Sequence, residues 1–177
     1  MSLSPAAQKL AEHIRDVPDF PKPGILFKDI TPLLSDPSAL KSACELLAAP
    51  FVGRGIDLVV GIEARGFIFG PPVALALGAG FGLARKQGKL PWHTRHESYA
   101  LEYGQADIEM HDDAVRRGQR VLVIDDVIAT GGTAAATARL VRGLGGEVVA
   151  ATFLIELAFL DGRKALAGLP VESVLRF

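Results

Sequence analysis

The sequence is short of what several protein classes require. Cys44 is the single cysteine, so no intrachain disulfide can form and a reducing compartment is expected. Charge of one sign is missing as well: 19 Lys and Arg stand against 20 Asp and Glu, a formal net charge of −1. That balance argues against a partner held by bulk electrostatics, so neither nucleic acid nor a membrane surface is expected as a partner. It leaves a small charged ligand open. The opening residues, MSLSPAAQKLAEHIRD, lack a basic stretch followed by an apolar one, so no secretory signal is read and a cytoplasmic location is expected. A long apolar helix is lacking too. Residues 66–84 carry no charge, but Pro71, Pro72 and five glycines interrupt them. A membrane span needs roughly 20 continuous apolar residues, and Gly78-Ala79-Gly80 instead predicts a helix followed by a strand.

What is present is a chain of 177 residues with 49% hydrophobic side chains, which suits one domain with a real core and excludes disorder. Ala7, Leu10, Ala11 and Ile14 predict a short helix over residues 4–16. Pro18, Pro21, Pro23 and Pro32 then argue against regular structure over most of residues 17–32, although Phe20, Ile25, Leu26, Phe27 and Ile30 keep that segment apolar. Such a segment is either a packed surface loop or the wall of a pocket. A helix is predicted from Ser38 to Phe51, after which the chain alternates. Strands are predicted at 57–61, 81–85, 120–124, 147–155 and 172–175, with helices at 67–77, 133–144 and 160–167; residues 88–110 read as less regular. Continuous apolar strands alternating with helices predict an α/β fold, a parallel sheet covered by helices on both faces. Ligands of such sheets sit outside the carboxyl ends of the strands, which directs attention to Gly61–Arg65, Arg85-Lys86 and the residues from Asp125 onward.

The run from Val121 to Thr133 reads as a strand, two acids, a glycine-containing loop and a helix start. Glycines let backbone approach a ligand, and the N–H groups of a helix N-terminus point at it. With the hydroxyls of Thr130 and Thr133 these residues describe a cradle for a phosphate monoester. Two adjacent carboxylates suit a polyol or a magnesium-bound substrate. A plain turn with solvated acids is the competing reading. An ATP site is excluded because G-x-x-x-x-G-K-[ST] is nowhere in the chain, and Gly78-Ala-Gly80-Phe-Gly82-Leu83 lacks the third glycine of a dinucleotide fingerprint.

These thirteen residues resemble the 5-phosphoribosyl-1-pyrophosphate (PRPP) signature of the type I phosphoribosyltransferases. Further blocks narrow the resemblance to the adenine phosphoribosyltransferases: Phe20 to Leu34, Gly61 to Pro71, Arg85 to Pro91, Ser98 to Gly104, Phe153 to Leu157 and Gly162-Arg163. The resemblance covers nearly the whole chain. It implies the type I phosphoribosyltransferase fold, with a small N-terminal hood and base-binding segment at about residues 1–34 and a PRPP-binding core at about 35–177. The implied reaction is adenine plus PRPP giving AMP and pyrophosphate, a purine-salvage step requiring magnesium. The ion would be held mainly by substrate oxygens and water rather than by a protein-only site.

By the same resemblance, Asp125 and Asp126 would hold the ribose hydroxyls and favour an oxocarbenium-like transition state, while Ala129, Thr130, Gly131, Gly132 and Thr133 would hold the 5-phosphate. Glu63, Ala64, Arg65, Arg85, Lys86 and Lys89 would receive pyrophosphate, with a cis peptide at Glu63-Ala64. Leu26, Phe27 and Lys28, with Ala129, would build the adenine site: Phe27 stacks on the purine while backbone groups read its edge. Glu102 would exchange a proton with the purine nitrogen, and Tyr103 lies on the same loop, which closes over the site. A homodimer is implied. Gln87 stands where a further cation is common and Lys28 where arginine is common. His93 and His96 lack the second histidine of H-E-x-x-H and read as exposed loop residues. Two alternatives remain. One is a phosphoribosyltransferase for hypoxanthine, guanine or xanthine, against which the adenine-type block at 20–34 argues. The other is a non-catalytic PRPP-sensing regulator, for whose DNA-binding module a single domain leaves no room.

Overall fold

Ser4 caps the first helix, accepting the Ala7 N–H on its hydroxyl at 3.2 Å, and Pro5 follows at the one turn where a missing N–H costs nothing. This helix, α1 (Pro5–Ala11), stops short of the predicted residue 16. His13 and Ile14 close it with tight bonds to the Leu10 and Ala11 carbonyls, and the chain then extends. The structure, a computed structural model, describes residues 4–100 and 105–177. Its contacts divide the chain into two compact units, residues 1–46 and 47–177.

In the first unit the proline cluster does carry regular structure, contrary to expectation. Strands β1 (Arg15–Pro18) and β2 (Leu26–Asp29) pair antiparallel, with Val17 opposite Phe27 and Pro18 opposite Leu26. A proline at the end of an edge strand removes no ladder bond, and Pro21 and Pro23 fall in the connection, where Phe20-Pro21 is cis. Helix α2 (Thr31–Ser35) takes Pro32 in its first turn. Asp36 then starts α3 (Pro37–Ala48), its Oδ1 accepting the N–H groups of Ser38 and Ala39 and the Ser38 hydroxyl at 2.7–2.9 Å.

The second unit is built on a seven-stranded sheet. Its strands are β3 (Leu58–Ile62), β4 (Gly80–Lys86), β5 (Thr94–Ala100), β6 (Gln105–His111), β7 (Arg120–Ile128), β8 (Glu147–Glu156) and β9 (Val171–Arg176), in the spatial order β5-β6-β4-β3-β7-β8-β9. Strands β4, β3, β7, β8 and β9 run parallel, while β5 and β6 form an antiparallel hairpin at the edge. These two strands correct the expectation of less regular structure at 88–110. Their residues are largely polar and the outer strand lies at the sheet edge, so the apolar alternation that announces a strand is weak. Residues 158–166 form two short 3-10 turns rather than an α-helix, a run between Asp161 and Gly168 being too brief to repay helix nucleation.

Helix α4 (Gly66–Leu77) connects β3 to β4 on one side, and α5 (Gly132–Gly143) connects β7 to β8 on the other. Right-handed crossovers in opposite directions place the two helices on opposite faces of the sheet. Side chains agree. Leu58, Val60 and Ile62 share a core with Ala134, Ala138, Leu140 and Val141 of α5. Gly61, between them, turns the other way, toward Phe81 and the Gly66 carbonyl. There α4 comes so near that a Cβ on Gly70 would lie 2.2 Å from the Phe81 ring. Gly78, at φ 67°, ends α4 in the left-handed conformation at the predicted break. Strand order thus reverses between β3 and β7, and in open α/β sheets ligands bind at such a point, outside the carboxyl ends.

Candidate active site

At the switch point the registers align the chemistry. Gly61 pairs with Leu83 of β4 and with Ile124 of β7, so residues 63–65, 85–86 and 125–126 leave the sheet at one edge. The acidic pair lies within β7, not after it as predicted, because pairing with β8 continues as far as Ile128 opposite Glu156. Neighbouring strand residues point to opposite faces, which gives the two carboxylates different surroundings. Asp126 is buried and ion-paired with the Arg65 Nε. Asp125 is half-buried against Gly66 and accepts the Asp126 N–H at 2.8 Å. Burial, then the adjacent Asp126 carboxylate, pushes the Asp125 pKa well above the ordinary carboxylate range, and the Arg65 charge offsets this only in part.

Beyond Asp125 opens a cavity of about 90 Å³ lined by Asp125, Val127, Phe153 and residues 128–134. A larger cavity of about 350 Å³ lies in the first unit between α1 and the start of α3, but it has no comparable convergence of acids and helix donors. The smaller one includes the N-terminus of α5. Gly131 caps that helix at φ 79° and no side chain among the described residues satisfies its first N–H groups, so Gly132, Thr133 and Ala134 face the cavity end of the helix with donors to offer. The loop is held against a second turn. A Cβ on Gly131 would lie 2.2 Å from the Gly162 carbonyl, and one on Gly162 would lie 2.2 Å from the Ala129 carbonyl. Arg163 anchors that turn, with Nε and Nη2 bound to the two oxygens of the buried Glu156 at 2.8 and 2.7 Å. The Ser173 hydroxyl adds a third bond to Glu156 at 2.6 Å. The Arg163 bonds chiefly, against the cost of burial, hold the Glu156 pKa below its usual value.

On the other side of the acids, Glu63 gathers the end of β4. Its Oε2 accepts the Arg85 Nε and the Lys86 N–H, both at 3.1 Å. Burial would raise the Glu63 pKa, but these two bonds and the Arg85 and Lys86 charges outweigh it and lower it. The Glu63-Ala64 peptide is cis. Arg85 also donates to the Lys89 carbonyl at 2.8 Å, which ties the following loop to the same group. The ammonium groups of Lys86 and Lys89 are exposed, with no ion pair among the described residues.

The structure therefore brings Glu63, Ala64, Arg65, Arg85, Lys86, Lys89, Asp125, Asp126 and Ala129 to Thr133 to the carboxyl edge of the second unit's sheet. Leu26, Phe27 and Lys28 share β2 of the first unit. Phe27 meets Phe20 edge to face at 5.2 Å, and the Lys28 ammonium bonds Asp16 at 2.6 Å. Glu102 and Tyr103 lie outside the described residues. His93 and His96 are exposed, though His96 stands on β5 rather than in a loop, and no three metal-ligating side chains converge among the described residues. Sequence reasoning missed Glu156 and Glu109, each a buried carboxylate. The one available signal for Glu109 was charge segregation: residues 85–95 hold four cations and no acid, residues 97–113 six acids and no Lys or Arg.

A family model for the phosphoribosyl transferase domain matches residues 38–167. An adenine phosphoribosyltransferase of Thermobifida fusca is 57% identical over 162 residues, covering 92% of each chain. The crystal structure of adenine phosphoribosyltransferase from Rhodothermus marinus superposes with a TM-score of 0.93 at 58% identity, covering 97% of this chain and 98% of that one. The Saccharomyces cerevisiae enzyme, solved with an imino-altritol bisphosphate and adenine, gives a TM-score of 0.90 at 40% identity over 96% and 98%.

Proposed function

Because the chain belongs to the phosphoribosyl transferase family, with adenine phosphoribosyltransferases as its near-full-length relatives, we propose the reaction its site performs. It transfers the phosphoribosyl group of PRPP to adenine, giving AMP and pyrophosphate. The C1–oxygen bond to pyrophosphate breaks, the bond from C1 to the purine nitrogen forms, and the nitrogen loses its proton. The observation that carries this reading is the junction of an acidic pair, a helix N-terminus and a cationic strand end at one switch point.

Each part has one task. The N–H groups of Gly132, Thr133 and Ala134, with the threonine hydroxyls, bind the 5-phosphate, for which a helix N-terminus supplies donors and a favourable dipole. Asp125 and Asp126 hold the ribose hydroxyls, and their charge favours the cation that develops as pyrophosphate departs. Arg65 sits between tasks, paired with Asp126 and next to the cis peptide. Lys86 and Lys89 receive the leaving group, together with Arg85, which Glu63 orients. Phe27 stacks on adenine, and Glu102 takes the proton from its nitrogen.

Magnesium fits as an ion carried by the substrate. Asp125 and Asp126 are given to the ribose hydroxyls, so the ion would be held mainly by substrate oxygens and water, which suits a cation that dehydrates reluctantly. When bound it neutralises charge on the diphosphate. A cytoplasmic homodimer is the form we assign. Ile68 and Leu75 of α4 are exposed, Leu75 by 81%, and a second copy would cover them.

Purified protein given adenine, PRPP and magnesium should release AMP and pyrophosphate in equal amounts. Pyrophosphate release without AMP would mean hydrolysis and would refute transfer.

A further inference from the structure

β6 alternates as a strand should: Ile108 and Met110 join the main core, so Glu109 between them points to the opposite face. A carboxylate there would ordinarily be solvated, yet Glu109 is only 4% exposed. The segment between β4 and β5 covers it. This segment turns at Gly88, at φ 78°, and winds onto the carboxylate. Lys89 and Leu90 both donate backbone N–H to Oε1 at 3.0 Å, and the Thr94 hydroxyl donates to Oε2 at 3.3 Å. Arg85, directly opposite Glu109 in the β4–β6 pair, closes the same loop through the Lys89 carbonyl. Burial would raise the Glu109 pKa, but the N–H groups of Leu90, Gly88 and Lys89 and the Thr94 hydroxyl together bring it below the ordinary value.

The choice of partners matters. A surface loop with Lys86 and Lys89 beside a glutamate would ordinarily form an ion pair, which would consume a cation. Glu109 instead binds backbone, and both ammonium groups stay exposed and unpaired among the described residues. We propose that Glu109 is the positioning residue of the pyrophosphate-binding loop, fixing the backbone of residues 88–90 so that Arg85, Lys86 and Lys89 present their charges together. It does not touch substrate; it acts through the loop. This rests on the phosphoribosyl-transfer reading above.

The test is steady-state kinetics of Glu109→Gln and Glu109→Ala, with direct titration of pyrophosphate into each folded variant. Gln keeps one acceptor oxygen for the two N–H donors, whereas Ala leaves them without a partner. The KM for PRPP and the Kd of pyrophosphate should therefore rise about threefold in Gln and about tenfold or more in Ala. The KM for adenine and kcat at saturating PRPP should stay within about twofold. A general loosening of the fold would move both substrates' KM values and kcat together, and that pattern would overturn the proposal. So would an unchanged PRPP KM in folded Ala variant. If the Ala variant does not fold, the Gln variant decides alone, by the presence or absence of its PRPP shift. Failure of the wild type to use adenine would instead defeat the functional reading itself.

Discussion

Asp125 and Asp126 are one peptide apart and differ in what they cost. Asp126 has the Arg65 guanidinium, while Asp125 is pressed between a buried backbone and a like charge. A carboxyl whose folded pKa is raised binds more protons folded than unfolded, so stability falls as pH rises from about 3.9, the unfolded value, through the raised one. Asp125→Asn removes that penalty. It should raise Tm at neutral pH while lowering kcat/KM by about a hundredfold or more, both read on one preparation by calorimetry and turnover. A lower Tm would mean that the charge is already compensated. Gly131 is a second residue with no substitute, since its φ of 79° and its approach to the Gly162 carbonyl both exclude a Cβ. Gly131→Ala should cost more than about 1 kcal/mol in urea unfolding and raise the PRPP KM, and an unchanged KM would show that the loop does not bind the phosphate. Both positions were legible in the sequence as a strand-acid-acid-glycine-helix run. Glu156 and Glu109 were not, because what makes a carboxylate structural is the donors around it, and those come from residues 7 to 20 positions away.

The elements that sequence placed within about a residue at each end are β3, β4, β8, β9, α4 and α5, while β7 starts as predicted and runs four residues further. Those it missed are short or polar. β1 and β2 are edge strands that tolerate proline, β5 and β6 lack alternation, and the last predicted helix is too short to hold α geometry. The 3-10 turn at Gly162–Leu166 nonetheless backs the loop at 129–133, because Arg163 pins it to Glu156 of β8 while Gly162 touches that loop. Glu156 has a lowered pKa, as do Glu63 and Glu109. Their contribution is present above about pH 4.3, the unfolded value, and is lost as pH falls through the lower folded values. Glu156→Gln should therefore destabilise the protein by about 1–3 kcal/mol at pH 7, a range kept low because Arg163 is nearly half exposed. The difference from wild type should narrow as pH is taken below about 4.3, measured by urea midpoints across pH. A difference that stays constant would show that the pair's charge contributes nothing.

Over the whole molecule the balanced net charge of −1 conceals a separation, with cations at the end of β4 and acids on β7 and along the β5–β6 hairpin. That arrangement suits a substrate that is both a polyol and a polyanion, and no composition statistic would reveal it. What the sequence could not supply was the reversal of strand order that sets β3 beside β7. Strand order depends on which crossover goes left and which right, and the chain's local pattern is silent on that. Sedimentation should find twice 18.7 kDa at micromolar concentration, and Leu75→Glu on the exposed face of α4 should shift the protein toward monomer. A wild type that sediments as a monomer would remove the homodimer from the account. The identity of the base decides the function. Adenine, hypoxanthine and guanine at equal concentration should compete for limiting PRPP and magnesium, with the nucleotide products separated by chromatography. AMP should be the dominant product by at least about a hundredfold, a ratio within reach of a site whose polar groups a 6-oxo group would leave unpaired. Equal or greater yield of a 6-oxopurine nucleotide would contradict it.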